Sequence, residues 1–232
     1  MNKVCVIIGV GPGNGEALAR RFSEGGYQVA MLARSLAYLE SLAQQIPNTH
    51  AYAYDATELD KVEPTFQAIE HKLGPVSALL YNAGGGVFKN VEEASLEDFE
   101  ANWRINVHGL VAATKAALPQ LRQHDVANII VTSASAATRG RANTAPFASA
   151  KAAQRSLTQS LARQLGPEKI HVANVVIDGL VDLPRARARL ADKPDDFFVK
   201  PAAVADAIWS LCQQDPSAWT SELDIRPFGE SW

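Results

Sequence analysis

Short apolar runs alternate along the chain with longer segments in which apolar residues recur every three or four positions. A short apolar run is typical of a strand buried on both faces, and the longer period is typical of an amphipathic helix. The predicted strands are residues 4–8, 28–33, 50–54, 76–81, 128–132, 170–177 and 223–225. The predicted helices lie between Gly15 and Gly25 and at 35–46, 58–73, 95–123 with a break at 106–109, 146–165, 184–190 and 202–214.

The order of these elements predicts an α/β fold. Strands separated by helices form βαβ units, in which the strands are parallel and the helices cover both faces of the sheet. We therefore predict a single domain over residues 1–232, with a doubly wound parallel sheet of about seven strands. Ser95 followed by Asp98 predicts a capping box at the start of the 95–123 segment, and Ser35 predicts an N-cap for 35–46.

The composition is that of an ordinary globular chain and argues against several functional classes. Hydrophobic residues make up 47% of the sequence and the net charge is −3, so nothing indicates binding to nucleic acid or an anionic membrane. No apolar run approaches the roughly 20 residues of a membrane span, and the N-terminus lacks a signal-peptide pattern. The two cysteines, Cys5 and Cys212, are predicted to be buried free thiols of a cytoplasmic protein. The five histidines show no metal-ligand spacing, so we expect no metal site.

A glycine-rich turn follows the first predicted strand and precedes the first helix. Its residues are Gly9, Gly11, Gly13, Asn14 and Gly15. Glycines allow the backbone to turn tightly and to approach a pyrophosphate, and the N-terminus of the next helix offers free N–H groups. The position of the turn between a strand and a helix favours nucleotide binding over a merely tight turn.

The end of the second predicted strand indicates which dinucleotide is bound. Folds that prefer NAD place a carboxylate there for the ribose 2′-hydroxyl, whereas this chain has Ala33 followed by Arg34. A guanidinium suits a 2′-phosphate through charge-assisted hydrogen bonds. The sequence therefore favours NADP(H) over NAD(H), with a solvated arginine at a helix start as the alternative.

Several motifs together resemble the short-chain dehydrogenase/reductase family over essentially the whole chain. They are Gly9, Gly13 and Gly15 in the spacing G-x-x-x-G-x-G, Asn82-Ala83-Gly84 after the fourth strand, Asn106 and Lys151. The resemblance implies a Rossmann fold, a nicotinamide cofactor and a small-molecule substrate. It also implies a homodimer or homotetramer built from the two long helices.

The resemblance assigns cofactor contacts beyond the glycine turn. The positions are Asp55, Ala56, Asn82, Ala83, Gly84, Lys151, Gly179 and Val181. The first two would contact adenine, the next three would support the ribose and the central strand, and Lys151 would bind the nicotinamide ribose. The last two resemble a segment that touches the carboxamide, although Asp178 replaces the proline usual before it.

The active-site positions depart from the family pattern at two places. Family members pair a tyrosine, four residues before the lysine, with a serine thirteen residues before the tyrosine; these positions are Phe147 and Ala134 here. General acid catalysis contributes typically about 10²–10⁴-fold, so the missing hydroxyls remove a large contribution. The resemblance leaves Asn106, which would hold a proton-relay water, and Lys151 as the surviving catalytic residues.

Two functions stay open at this point. Retention of Asn106 and Lys151 favours hydride transfer between NADPH and a carbonyl or alcohol carbon, with an atypical active site. Loss of both hydroxyls favours a catalytically silent protein that senses NADP(H) or acts through a partner. If the protein is an active enzyme, Asp178 and Asp182 are the better candidates for a substitute acid, and a water held by Asn106 and Lys151 is the alternative proton source.

Overall fold

The structure is a computed structural model that describes residues 3–229. The strands are β1 Val4–Ile8, β2 Gln28–Ala33, β3 Thr49–Ala53, β4 Val76–Tyr81, β5 Ala127–Ala134, β6 Ile170–Ile177, β7 Leu180–Val181, β8 Phe198–Val199 and β9 Glu222–Ile225. The α-helices are α1 Asn14–Glu24, α2 Leu36–Ala43, α3 Val62–Leu73, α4 Leu96–Trp103, α5 Gly109–Leu121, α6 Ala145–Leu165, α7 Pro184–Arg189 and α8 Pro201–Leu211.

Seven strands form one parallel sheet, in the order β3-β2-β1-β4-β5-β6-β9. The chain moves outward from β1 to β3 and then crosses back to place β4 on the other side of β1. A crevice at the carboxyl ends of the strands, where the strand order reverses, is where such sheets bind ligands. The predicted doubly wound, single-domain Rossmann architecture is therefore confirmed, with β7 and β8 forming a separate small pair.

Two apolar layers bury the two faces of the sheet. One layer includes Phe66 and Ile69 of α3 and Leu110 of α5. The other includes Phe22 of α1 and Ile208 of α8. Because both faces are covered, β1, β4 and β6 are buried at every position, which explains their continuous apolar sequences.

Several predicted boundaries were wrong by a few residues. β3 begins and ends one residue earlier than predicted, and β5 continues to Ala134 because it pairs with β6 along its whole length. α2 ends at Ala43 and not at 46, and Ser35 occupies its N-cap position without a side-chain hydrogen bond. The capping box at α4 is confirmed, since the Asp98 backbone nitrogen donates to Ser95 Oγ over 3.2 Å and Ser95 N donates to Asp98 Oδ2 over 3.0 Å.

The predicted break at 106–109 is a π-helical segment, Arg104–His108, which joins α4 to α5. Donors from two other elements bind two of its carbonyl oxygens. The Tyr81 hydroxyl donates to the Ile105 carbonyl, and Gln154 Nε2 donates to the Asn106 carbonyl over 2.7 Å. Single π turns of this kind appear mostly as insertions in α-helices and are frequent at functional sites.

Candidate nucleotide-binding and active site

Two adjoining cavities form a groove along the carboxyl ends of the strands. Their volumes are about 430 Å³ and 340 Å³, and both are lined by Gly9, Gly11, Asn82 and Gly84. The larger cavity extends towards Lys151, and the smaller extends towards β2 and β3. Because the shared lining lies between β1 and β4, the groove occupies the point at which the strand order reverses.

The backbone at Gly9 comes so close to the chain after β4 that a side chain would not fit. Its φ angle is +92°, and a Cβ there would lie 2.5 Å from the backbone nitrogen of Ala83. Asn82 Nδ2 donates to the Gly9 carbonyl over 2.8 Å and ties the two loops together. Gly11, in contrast, has open space where a Cβ would point. Gly9 therefore shapes the turn, while Gly11 keeps the groove open.

The N-terminus of α1 provides a site for an anion. Its N-cap residue is Gly13, and no side chain caps the helix. Asn14 Oδ1 is buried without a hydrogen-bond partner among residues 3–229, and Asn14 lines the larger cavity. Free N–H groups and the positive end of the helix dipole are what a pyrophosphate needs, so these residues fit a dinucleotide.

The end of the groove beside β2 and β3 combines a cation with an ionised carboxylate. Arg34 is exposed at the end of β2, and Arg34 and Asp55 both line the smaller cavity. Burial favours the neutral carboxyl group, but hydrogen bonds from the Thr57 backbone and hydroxyl, together with the Arg34 charge, hold the pKa of Asp55 below its usual value. Ala56 and Ala83 complete the wall of this cavity.

Lys151 reaches the groove from α6 and is almost fully buried. Its Nζ donates to the Thr132 carbonyl over 3.2 Å and to Gln154 Oε1 over 2.9 Å. Burial lowers the pKa of Lys151 to about 8, because desolvation disfavours the ammonium form. Asn106 lies behind Gly84, and its Oδ1 is buried without a hydrogen-bond partner in the described part of the chain.

Side chains without a hydroxyl group occupy the two positions at which the family resemblance implies a serine and a tyrosine. Ala134 and Phe147 line the larger cavity, and the ring centroids of Phe147 and Phe88 are 5.1 Å apart. Ser133 lines the same cavity, and its Oγ is buried without a partner within residues 3–229. Ser135 lines a third pocket, which Ala134 also lines, and begins a short 3₁₀ turn. Phe147 has no proton to give at this site.

The two candidate acids are held as carboxylates, which contradicts the expectation that they could replace the missing tyrosine. Asp178 lies between Arg139 and Arg226; burial favours its neutral form, yet hydrogen bonds from both guanidinium groups hold its pKa below the usual value. The Asp182 carboxylate accepts two hydrogen bonds from Arg187, which lower its pKa. A group with a lowered pKa is ionised at neutral pH and is a poor proton donor.

The structure brings nearly all of the sequence-predicted site residues to one groove. The predicted positions that line one or both cavities are Gly9, Gly11, Asn14, Gly15, Arg34, Asp55, Ala56, Asn82, Ala83, Gly84, Ala134, Phe147, Lys151, Gly179 and Val181. Gly13 lines a smaller neighbouring pocket, and Asn106 stays behind the wall. The sequence analysis missed Gln154 and Phe88. One feature of the sequence could have indicated Gln154, because a side chain three residues after Lys151 lies on the same face of the helix as the lysine.

Other kinds of site have no counterpart in the described structure. Residues 3–229 contain no group of three or more histidine, cysteine, aspartate or glutamate side chains that could hold a metal ion. Over the same residues, no helix is both long enough and apolar enough to cross a membrane. Cys5 is buried, whereas Cys212 is only partly buried, so the prediction of two buried thiols was wrong for Cys212.

Comparison with known proteins identifies the class to which this fold and groove belong. The family model described as short chain dehydrogenase matches residues 3–193, so the chain belongs to the short-chain dehydrogenase family of oxidoreductases. It is similar over 98% of its length to the crystal structure of a short-chain dehydrogenase from Rhodopseudomonas palustris, with 31% identity, all of that chain covered and a TM-score of 0.85.

Two further solved structures carry bound dinucleotides. An alcohol dehydrogenase from the archaeon Thermococcus sibiricus, complexed with 5-hydroxy-NADP, is 26% identical, with 100% of this chain and 99% of that chain covered and a TM-score of 0.88. The NADPH-bound short chain oxidoreductase from Pseudomonas aeruginosa PAO1, described as containing an atypical catalytic center, is 25% identical. The match covers 96% of this chain and 95% of that chain, with a TM-score of 0.88.

Proposed function

We propose that the protein is an NADP(H)-dependent oxidoreductase that acts on a carbonyl or alcohol carbon with an atypical active site. The observation that carries the proposal is the groove itself, in which the glycine turn, the α1 N-terminus, Arg34 and Lys151 lie along one continuous surface. Two similar solved structures hold NADP-type dinucleotides, which supports the same cofactor here. Bound in this groove, the cofactor would supply or accept a hydride at the substrate carbon.

The side chains of this protein would hold the cofactor and shape the substrate pocket. Arg34 would bind the 2′-phosphate, and the N-terminus of α1 would bind the pyrophosphate. The Lys151 ammonium would hold the nicotinamide ribose, and Asn106 would support the wall beside it. Because Ala134 and Phe147 carry no hydroxyl group, the proton exchanged with the substrate oxygen would come from solvent at the mouth of the pocket.

A catalytically silent NADP(H)-binding protein is the second candidate. The observation that favours it is the double replacement at Ala134 and Phe147, which removes both the general acid and an oxyanion donor. One such donor is worth roughly 10²–10³-fold in rate. In this case the groove would report the NADP(H) level to a partner, and Lys151 would serve binding alone.

Titration and turnover separate the two candidates. NADPH and NADH are titrated first, and NADPH oxidation is then followed with aldehydes, ketones and quinones. The enzyme proposal expects tighter binding of NADPH and oxidation that Lys151→Ala abolishes. Binding without oxidation in the wild type, and oxidation that appears only in the Ala134→Ser/Phe147→Tyr variant, would favour the silent binder. Absence of binding to either dinucleotide would contradict both.

We also propose a cytoplasmic homodimer or homotetramer. The exposed apolar side chains Leu96, Trp103 and Val111 lie on α4 and α5 and support self-association through these helices. Light scattering on the eluted peak of a size-exclusion column tests this, with Trp103→Glu expected to shift the mass towards the monomer. Elution of the wild type as a monomer would reject the proposed assembly.

A further inference from the structure

Gln154 fills the space between the Lys151 ammonium and the π turn that precedes α5. The side chain is fully buried, and both ends of its amide are used. Its Oε1 accepts a hydrogen bond of 2.9 Å from Lys151 Nζ, while its Nε2 donates one of 2.7 Å to the Asn106 carbonyl. One amide thus bridges Lys151 and Asn106, the residue that the family resemblance expects to hold a relay water.

The orientation of the amide is fixed by the chemistry of its neighbours. The Lys151 ammonium is a donor only, so it requires the amide oxygen. The Asn106 carbonyl is an acceptor only, so it requires the amide NH₂ group. Rotating the amide by half a turn would break both hydrogen bonds at a site without solvent, where unpaired polar groups are costly.

The hydrogen bond to Gln154 leaves the Lys151 ammonium with one N–H donor for the groove. An ammonium has three N–H donors, and two of them are taken by the Thr132 carbonyl and Gln154. The remaining donor is available to the groove, where Lys151 forms part of the wall. A carboxamide neither gains nor loses a proton at neutral pH, so it cannot pass one between Lys151 and Asn106 as a water can.

We propose that Gln154 is a positioning residue that fixes the Lys151 ammonium towards the cofactor ribose and closes the water relay between Lys151 and Asn106. The inference rests on the proposed function for the identity of the cofactor. Gln154 is then a third residue, besides Ala134 and Phe147, that makes this active site atypical. A closed relay also implies that restoring the two hydroxyls alone restores proton delivery only in part.

Nuclear magnetic resonance of the protein without cofactor tests the positioning role. Lysine labelled with ¹³C at the ε carbon reports the titration of Lys151, whose signal is assigned by its loss in Lys151→Arg. The wild-type midpoint is expected near 8. Gln154→Met, which keeps the volume, removes an acceptor and should lower the midpoint by about one pH unit, whereas Gln154→Glu adds a negative charge and should raise it by at least about one unit.

Two further observations complete this test. Gln159→Leu, an exposed change on the same helix, is the matched control and should leave the midpoint unchanged. Gln154→Met should also weaken NADPH binding by about tenfold, since it frees the ammonium from its orientation. If Gln154→Met does not fold, Gln154→Glu still decides the outcome. The same Lys151 midpoint in the wild type and in the folded Gln154 variants would overturn the positioning role.

A measurement of turnover tests the proposal that Gln154 closes the water relay between Lys151 and Asn106. Gln154→Ala opens room for a water between Lys151 and Asn106, so adding it to Ala134→Ser/Phe147→Tyr should raise turnover at least about tenfold. Equal turnover with and without Gln154→Ala, including none in either, would overturn the relay block. Failure of the wild type to bind NADPH would instead overturn the proposed function, because the titration of Lys151 is measured without cofactor.

Discussion

Replacing Arg34 by alanine should weaken the binding of NADPH while leaving that of NADH unchanged. The two cofactors differ only at the adenosine ribose, where NADPH carries a 2′-phosphate and NADH a hydroxyl. Arg34 lies at the end of β2 and lines the smaller cavity, which the ionised carboxylate of Asp55 also lines. The Arg34 guanidinium would attract a phosphate placed there and offset its repulsion by Asp55, and Arg34→Ala would leave that repulsion uncompensated.

The size of the effect follows from the exposure of Arg34. A hydrogen bond to a charged group is worth about 1.5–3 kcal/mol, and solvent screening at an exposed rim places Arg34 at the lower end. A loss of about 1.5 kcal/mol corresponds to slightly more than tenfold in Kd. Raising the salt concentration should reduce the preference for NADPH in the wild type and have less effect in Arg34→Ala.

Isothermal titration calorimetry with both cofactors measures this preference. Arg163→Ala removes an exposed arginine of α6, away from the groove, and is the matched control. Ala33→Asp supplies the missing carboxylate and should move the preference towards NADH. An equal loss for NADPH and NADH in Arg34→Ala, or no loss for either, would refute the reasoning.

Three further outcomes are expected. Gly9→Ala should destabilise the protein by about 2–4 kcal/mol in chemical denaturation because its Cβ collides with backbone, whereas Gly11→Ala should keep the stability and weaken NADPH binding. NADPH affinity should fall between pH 7 and 9, because burial lowers the pKa of Lys151 to about 8 and the ammonium loses its proton in this range. An affinity that does not change with pH, or the same fall in Lys151→Met, would contradict this. Asp178→Ala should cost about 3 kcal/mol because it removes a mostly buried carboxylate that forms ion pairs with Arg139 and Arg226, against less than about 1 kcal/mol for the exposed Asp206→Ala. Equal costs for the two variants would contradict a stabilising role of the Asp178 ion pairs.

Features encoded by neighbouring residues were predictable from the sequence. The strand and helix order follows from local apolar periodicity, and the glycine turn and the Ser95–Asp98 capping box follow from residues close together in the chain. The groove then follows from the topology, because parallel strands bring their carboxyl ends to one edge of the sheet. Arg34 was placed at this edge because it follows the second strand, whereas Val181 was assigned to the same site by the family resemblance.

Features that depend on distant side chains were not predictable in the same way. Asp178 follows a buried strand and suggested an acid, but Arg139 and Arg226, which hold it ionised, are 39 and 48 residues away in the sequence. The π turn likewise depends on Tyr81 from β4 and Gln154 from α6. No local sequence pattern predicts these contacts, because they form only when the helices and strands pack together.

NADPH oxidation by the wild-type protein, followed across a panel of aldehydes, ketones and quinones, is the most direct test of the proposed enzyme. The account predicts oxidation that depends on a carbonyl substrate and disappears in Lys151→Ala. Tight NADPH binding without oxidation by any member of the panel would contradict it and leave a silent NADP(H)-binding protein. Oxidation that Lys151→Ala leaves unchanged would contradict the role given to that lysine.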